Sequence, residues 1–159
     1  MTSNWILPSR KGNKPTTTDL FPHSQLNQHG TVELANTMAD WAFTLTDVKE
    51  EHSRISVPGA RAMILTNCDK CNHEALMIGE EFAHIHPAPD QGSMHLTLPE
   101  KDALEVIIKG WGEDHLLVQW GRRPTGLVMV FSPRDEQELE VIKKIITRSY
   151  QYATNTLTV

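Results

Sequence analysis

Three stretches of the chain have apolar residues spaced for one face of a helix. The first covers about residues 31–45, the second follows Pro99 and ends near Gly110, and the third follows Ser132 and Pro133. Apolar side chains three and four positions apart lie on one side of a helix, so each stretch predicts an amphipathic helix that covers a sheet. Proline in a first turn and glycine after a last turn favour these boundaries.

Short apolar or alternating runs predict the strands. They cover residues 62–65, 75–86, 93–98, 115–120 and 127–131. The order of helix, strands, helix, hairpin and helix predicts an α+β fold, a single domain with a mainly antiparallel sheet packed with about three helices. We expect residues 23–159 to form this domain. Residues 1–22 have little apolar content, which predicts a flexible N-terminal arm.

Composition and charge narrow the class of protein. The chain has 159 residues, 39% of them hydrophobic, which is enough for one buried core. Its net charge of -5 argues against a general nucleic-acid binder or a protein of anionic membrane surfaces. The first residues have no signal-peptide or membrane-span pattern, so we expect a cytoplasmic protein. A homodimer stays open.

Three of the eight histidines lie within twelve residues. Residues two apart on a strand share a face, so His84 and His86 point the same way. If the turn at 87–92 is symmetric, His86 faces Ser93 and His84 faces His95, with Cβ atoms about 5 Å apart. The opposite face is then a core face. It consists of Ala83, Ile85, Met94, Leu96 and Leu98.

The convergence of His84, His86 and His95 predicts a metal site lining a cleft. Neutral imidazole is the commonest metal ligand, and this arrangement suits Fe, Mn, Zn, Ni or Cu. A fourth ligand is expected from Glu80, Asp90, Glu113 or His115. Without a metal, the same histidines would act as general bases on a phenolic or enolic substrate. The non-functional alternative is that they only satisfy local hydrogen bonds.

Cys68 and Cys71 form a second candidate site, with His73 close by. A Cys-x-x-Cys pair can hold zinc or cycle between thiol and disulfide. A structural zinc ion usually takes four protein ligands, so the sequence favours two ordinary thiols in a turn, with a disulfide as the next alternative.

Two segments supply further polar and aromatic candidates. In the first, Trp111 offers a stacking surface, Glu113 a carboxylate and His115 a base. In the second, Arg122 and Arg123 lie in a predicted turn, where they are solvated or meet an anionic group.

The ordered motifs of the chain resemble the luciferase-domain family. They are His84-Ile-His86-Pro87, Gly92-Ser-Met-His95-Leu, Gly110-Trp-Gly-Glu113, and Ser132-Pro-Arg134-Asp135 with Glu138-Leu139. The resemblance covers roughly residues 59–153. His115 is followed by Leu116, where the family usually has proline.

This resemblance implies a small enzyme that oxygenates an aromatic or enolic metabolite, because fungal luciferase oxygenates a hydroxylated pyrone. It implies that His84, His86 and His95 bind a divalent metal, Fe, Mn or Zn, or deprotonate the substrate. Catalytic roles are implied for His95, Glu113 and His115. Substrate binding is expected from Phe82, Trp111 and Arg122.

Two other function classes stay open beside this oxidoreductase. A non-redox metalloenzyme, such as a hydrolase, lyase or isomerase, would use the same histidines to activate water or polarise a carbonyl. A non-catalytic protein that binds a small molecule, haem or a metal would be stabilised by its ligand without turnover.

Overall fold

A six-stranded antiparallel sheet, in the order β1-β2-β3-β4-β6-β5, is the centre of the structure, a computed structural model that describes residues 5–157. The strands are β1 (Val48–His52), β2 (Arg61–Leu65), β3 (Glu81–Ile85), β4 (Met94–Thr97), β5 (Gly112–Asp114) and β6 (Leu127–Val130). The α-helices are α1 (Val32–Ala42), α2 (Glu100–Ile108), α3 (Leu116–Gln119) and α4 (Glu136–Thr154), with a 3-10 turn at His73–Ala75. The predicted α+β class and its antiparallel sheet are confirmed.

The long helices cover one face of this sheet. Helix α4 packs on β3 and β4, α2 packs on β5 and β6, and α1 packs on α4. The predicted stripe of α4 is buried. It consists of Leu139, Ile142, Ile145, Ile146, Ser149 and Ala153. The helix begins later than predicted, because the side chain of Asp135, whose backbone is extended, accepts a hydrogen bond from the backbone N–H of Glu138 and caps the first turn.

Three segments differ from the sequence prediction. The strand predicted over residues 75–86 forms only at Glu81–Ile85, because its predicted start belongs to the 3-10 turn His73–Ala75. The strand predicted over residues 115–120 is wrong: the His115 side chain accepts the backbone N–H of Leu117 at 3.1 Å and caps the short helix α3. The second strand beside β6, in addition to β4, is β5. Strand β1 was missed, because it lies at the sheet edge with only Val48 buried and therefore shows no alternation of apolar and polar residues.

Residues 5–22 lie along the domain, with Leu7 almost fully buried. The Trp111 Nε1–H donates to the Pro8 carbonyl at 2.6 Å, and the Lys109 ammonium donates to the Leu7 carbonyl at 2.8 Å. Residues 1–4 of the predicted arm lie outside the described residues. The arm's flexibility and its boundary at residue 22 stay predictions.

No helix within residues 5–157 combines the length and the apolar character that crossing a membrane requires.

Candidate functional site

A row of residues crosses the sheet on the face turned away from the long helices. His84 pairs with His95, His95 with Met129, and Met129 with Glu113. Residues directly opposite each other in an antiparallel pair share a face, so His84, His95 and Glu113 lie on the same side of the sheet. The predicted register of the histidine hairpin is therefore found.

The β3–β4 turn continues this register beyond the strands. The His86 N–H donates to the Ser93 carbonyl at 2.8 Å, as the symmetric turn requires. The turn also brings Asp90 back to the hairpin, where its Oδ2 atom lies 2.9 Å from His86 Nδ1 and accepts the Ser93 hydroxyl at 2.7 Å. On its other oxygen, Asp90 contacts His29 Nε2 at 2.7 Å.

Glu81 is a site residue that the sequence analysis missed. Its Oε2 atom lies 2.8 Å from His84 Nδ1, and both side chains are buried. In a regular strand, residues three apart point to opposite faces, but the pairing of β2 with β3 shifts register between Met63 and Ile64. This irregularity brings Glu81 to the face of His84 and leaves Phe82 to the core.

The central contact of the site joins two imidazoles. His84 Nε2 lies 2.9 Å from His95 Nδ1, and His95 Nε2 lies 3.2 Å from the His23 carbonyl oxygen. If His84 donates to Glu81 and His95 donates to that carbonyl, the two facing nitrogens both carry lone pairs. The hydrogen bonds to Glu81 and to the His23 carbonyl then require a cation, either a proton or a metal ion, between the two facing nitrogens.

His23 and His115 approach His95 from the other side. The His23 ring stacks on His95 with centroids 5.5 Å apart, and the His115 ring meets His95 edge-on at 4.4 Å. His23 Nε2 lies 3.4 Å from Glu113 Oε2, and neither of the two buried ring nitrogens of His23 forms a hydrogen bond within the described residues. Lys14 Nζ approaches Glu113 Oε1 at 3.6 Å. His23 was missed because it lies beside the predicted arm.

Burial disfavours protonation of His84, His95 and His115, whose pKa values are all lowered. It lowers the pKa of His95 well below its ordinary value, and the neighbouring imidazoles add to the effect. It also lowers the pKa of His84, although the hydrogen bond that His84 donates to Glu81 acts in the opposite direction. The pKa of His115 is lowered to about 3 by burial and, to a smaller extent, by the neighbouring imidazoles and Arg123. Neutral imidazole is the form that binds metals.

Two carboxylates of the site, Asp90 and Glu113, have lowered pKa values. Burial alone would raise the pKa of Asp90, but hydrogen bonds from His86, Ser93 and His29 hold it below its ordinary value. Burial would also raise the pKa of Glu113, but its contacts with His23, Thr17 and Lys14 together outweigh that effect.

These histidines form one end of a cavity of about 670 Å³. His23, His84, His86, His95 and His115 all line it. The remaining wall is mainly apolar, with Ile55 and Val57 from the β1–β2 loop, Met77 and Ile78, Leu117 and Leu127. A volume of this size suits a small organic molecule.

Two sets of three histidines have ligand atoms within 4.8 Å of one another. They are His84, His86 and His95, and His23, His95 and His115. The first set is the one that the sequence predicts, and its donor atoms fit a metal ion. Of the candidates for a fourth ligand, Glu80 is exposed. Asp90 contacts Nδ1 of His86, the nitrogen turned away from the other two histidines of the set.

The structure does not bring the predicted substrate-binding residues to this cavity. Phe82 is buried in the core beside Tyr150, and Trp111 is buried with its indole N–H bonded to the N-terminal segment. Arg122 is exposed, with its guanidinium 5.9 Å from the Trp120 ring. The next residue, Arg123, lines the cavity instead.

The Cys-x-x-Cys segment is separate from the histidines. Cys68 and Cys71 are joined in a disulfide, so the preference for two free thiols is wrong and the next alternative is found. With both sulfurs bonded to each other, neither is available as a thiolate ligand for zinc.

The core of the site lies in a segment that is similar to known proteins. Residues 79–149 match the family described as luciferase domain. The resemblance to this family is confirmed over that segment. The luciferase-domain segment runs from just before β3 into α4, so it includes His84, His86 and His95, and it leaves out His23.

Curated fungal relatives agree with this match. The chain is 42% identical over 77 residues to a protein named luciferase from Armillaria mellea, covering 47% of this chain and 29% of the relative. A luciferase from Neonothopanus nambi is 39% identical over 77 residues, covering 47% of this chain and 28% of the relative. The chain therefore spans under a third of the length of these relatives. No solved structure matches the chain significantly.

Proposed function

We propose that the histidine cavity holds one divalent metal ion on His84, His86 and His95 and oxygenates a small aromatic or enolic molecule. The observation that carries the proposal is the arrangement behind the three imidazoles. Each of the three imidazoles has one ring nitrogen that faces away from the proposed metal position. These three nitrogens lie against Glu81, Asp90 and the His23 carbonyl. Metal-binding histidines almost always donate their second ring N–H to a carboxylate, a backbone carbonyl or water, which fixes the ring and its tautomer.

The charges of the site support a divalent ion. Glu81 and Asp90 are buried carboxylates, and a buried carboxylate without a cation is costly. His84 and His95 would be neutral ligands, because burial disfavours their protonation by lowering the pKa of each. A divalent cation would also remove the conflict between the lone pairs of His84 Nε2 and His95 Nδ1, which lie 2.9 Å apart.

When bound, iron or manganese would supply the chemistry for a reaction with dioxygen, which the similarity to fungal proteins named luciferase favours. The chain's own residues would orient the substrate and move its proton. His115 accepts a backbone N–H at Nδ1, so its neutral form carries the ring proton at Nε2 and acts as a hydrogen-bond donor.

His23 is the residue placed to accept a proton from a substrate hydroxyl. Its Nε2 atom lies 3.4 Å from Glu113 Oε2, so a hydrogen bond formed on a slightly closer approach would put the ring proton on Nε2 and leave Nδ1 as the base. His23 lines the cavity beside its mainly apolar wall. Glu113 is a positioning residue in this scheme, acting through His23.

The test is oxygen consumption by protein loaded with Fe, Mn or Zn in turn, with a hydroxylated 2-pyrone as substrate. We expect uptake of dioxygen with formation of product, lost in His84→Ala/His95→Ala. The His23→Gln and Glu113→Gln variants should keep the metal and lose most of the rate at neutral pH, by about 10²–10⁴-fold for His23, the usual range for a general base. Absence of both uptake and product with every metal would sink the oxygenation proposal.

A non-redox metalloenzyme is the second candidate. Three neutral histidines with room for a substrate also suit catalytic zinc, and the set found here contains no sulfur ligand. In that case, purified protein would contain zinc, and its reaction would proceed equally well without dioxygen.

A further inference from the structure

Arg123 is the one lysine or arginine among the described residues that lines the histidine cavity. It follows the short helix α3 and is half-buried. Its Nη2–H donates to the Met77 carbonyl at 3.1 Å, and its backbone N–H donates to the Leu117 carbonyl at 3.1 Å. Met77 and Leu117 themselves line the cavity, so these two bonds fix the position of the guanidinium at its wall.

This guanidinium has no carboxylate partner within residues 5–157, in contrast to three other arginines of the chain. Arg61 pairs with Glu50, Arg134 with Glu138 and Arg148 with Asp102. Glu74 lines a neighbouring cavity together with Arg123 but does not form a salt bridge with it. The guanidinium is partly desolvated, and its hydrogen bond to the neutral Met77 carbonyl leaves its charge unpaired, so a bound anion would supply the missing partner.

We propose that Arg123 binds an anionic oxygen of the substrate, so that the substrate class is an aromatic or enolic acid in its ionised form. The inference rests on the proposed function for the type of reaction. The binding of an anion by Arg123 does not depend on that function. The planar guanidinium fork matches a carboxylate or an enolate flanked by a carbonyl, and the apolar wall, including Ile78 and Leu127, accepts the ring.

The neighbouring arginine provides a matched control. Arg122 carries the same charge one position earlier, but it is exposed and stacks on Trp120 outside the cavity. Neutralising either arginine changes the net charge of the protein equally. Only Arg123 should change binding in the cavity.

The experiment compares benzoate with benzamide, two probes of nearly the same shape that differ in charge, by calorimetric titration at pH 7. We expect wild-type protein and Arg122→Gln to bind benzoate at least about tenfold more tightly than benzamide, as a charge-assisted contact implies. Arg123→Gln should lose this preference while binding benzamide normally, and Arg123→Lys should keep part of it. Binding of benzamide at the wild-type affinity shows that Arg123→Gln still forms the cavity.

Two results would overturn the proposal. The first is an equal preference for benzoate in Arg123→Gln and in Arg122→Gln, and the second is no preference for benzoate in the wild type. The His84→Ala/His95→Ala variant separates this inference from the metal site. If benzoate binds through Arg123, the His84→Ala/His95→Ala variant still binds benzoate more tightly than benzamide. If that variant loses the preference for benzoate while Arg123→Gln keeps it, the anion binds to the histidines instead.

Discussion

On one face of the β3–β4 pair, Ala83, Ile85 and Leu96 are buried in the core beneath α4, and on the other face His84 and His95 are buried almost as deeply. The apolar face gains free energy from burial alone. The polar face needs partners for its nitrogens, and Glu81, Asp90 and the His23 carbonyl provide one each for His84, His86 and His95. Burial of polar groups costs free energy unless partners compensate for it. A face that carries this cost, with a partner for each of these histidines, is the face that performs the function.

The largest effect is expected on the apolar face. Leu96→Ala should lower the free energy of unfolding by about 2–5 kcal/mol, because Leu96 is fully buried and its truncation leaves a cavity. Urea denaturation measures this loss. Metal content per folded molecule should stay at the wild-type level. A loss of metal from folded Leu96→Ala protein would show that the two faces are not independent.

The next effect concerns the carboxylate behind His84. Glu81→Gln should weaken metal binding by about 10–100-fold, because the amide supports the ring less strongly than the carboxylate does. Competition with a chelator of known affinity measures the change. Glu80→Gln is the matched control, since Glu80 is exposed and should leave the affinity unchanged. Equal effects of the two substitutions would argue against the role of Glu81.

Acid should destabilise the polar face more than the apolar one. In chelator-treated protein, the pKa of His115 lies at about 3 against an ordinary value of 6.5, so the unfolded chain binds its proton first as the pH falls. The free energy of unfolding should therefore fall progressively from about pH 6.5 towards pH 3. The lowered pKa values of His84 and His95 act with the same sign.

Urea denaturation at pH 7, 6, 5 and 4 measures this dependence. His115→Asn keeps a side chain able to cap α3 but cannot titrate, so its stability should fall less steeply between pH 6 and 4. Parallel curves for wild type and variant would contradict the assignment.

The smallest effect should come from Phe82, which the sequence analysis placed in the substrate site. Phe82→Leu should cost about 1 kcal/mol of stability, as a core substitution that keeps most of the apolar volume. Binding of benzamide in the cavity should not change. If Phe82→Leu protein stays folded but binds benzamide much more weakly than the wild type, Phe82 would belong to the substrate site.

The part of the site that could be predicted lies on regular strands. Alternation along β3 and β4 was sufficient to place His84 opposite His95, because a side-chain period of two and a symmetric turn determine the register. The stripe of α4 was equally readable from its helical spacing.

The rest depends on long-range packing or on irregular backbone. The His23 carbonyl meets His95 across 72 residues of sequence separation, and no local pattern announces such a contact. Glu81 reaches His84 only through the shift in the β2–β3 pairing. His115 was assigned to a strand because the short apolar run that follows it, Leu116, Leu117 and Val118, fits a buried strand as well as a short helix when its tertiary contacts are unknown.

The metal content of protein purified without an affinity tag tests the central claim most directly. Elemental analysis should compare the wild type with His84→Ala/His95→Ala and with His52→Ala/His73→Ala, whose two histidines are exposed and away from the cavity. The account predicts about one equivalent of a divalent transition metal in the wild type and in the exposed-histidine control, and none in the site variant. The same metal content in all three proteins, or no metal in any of them, would contradict it.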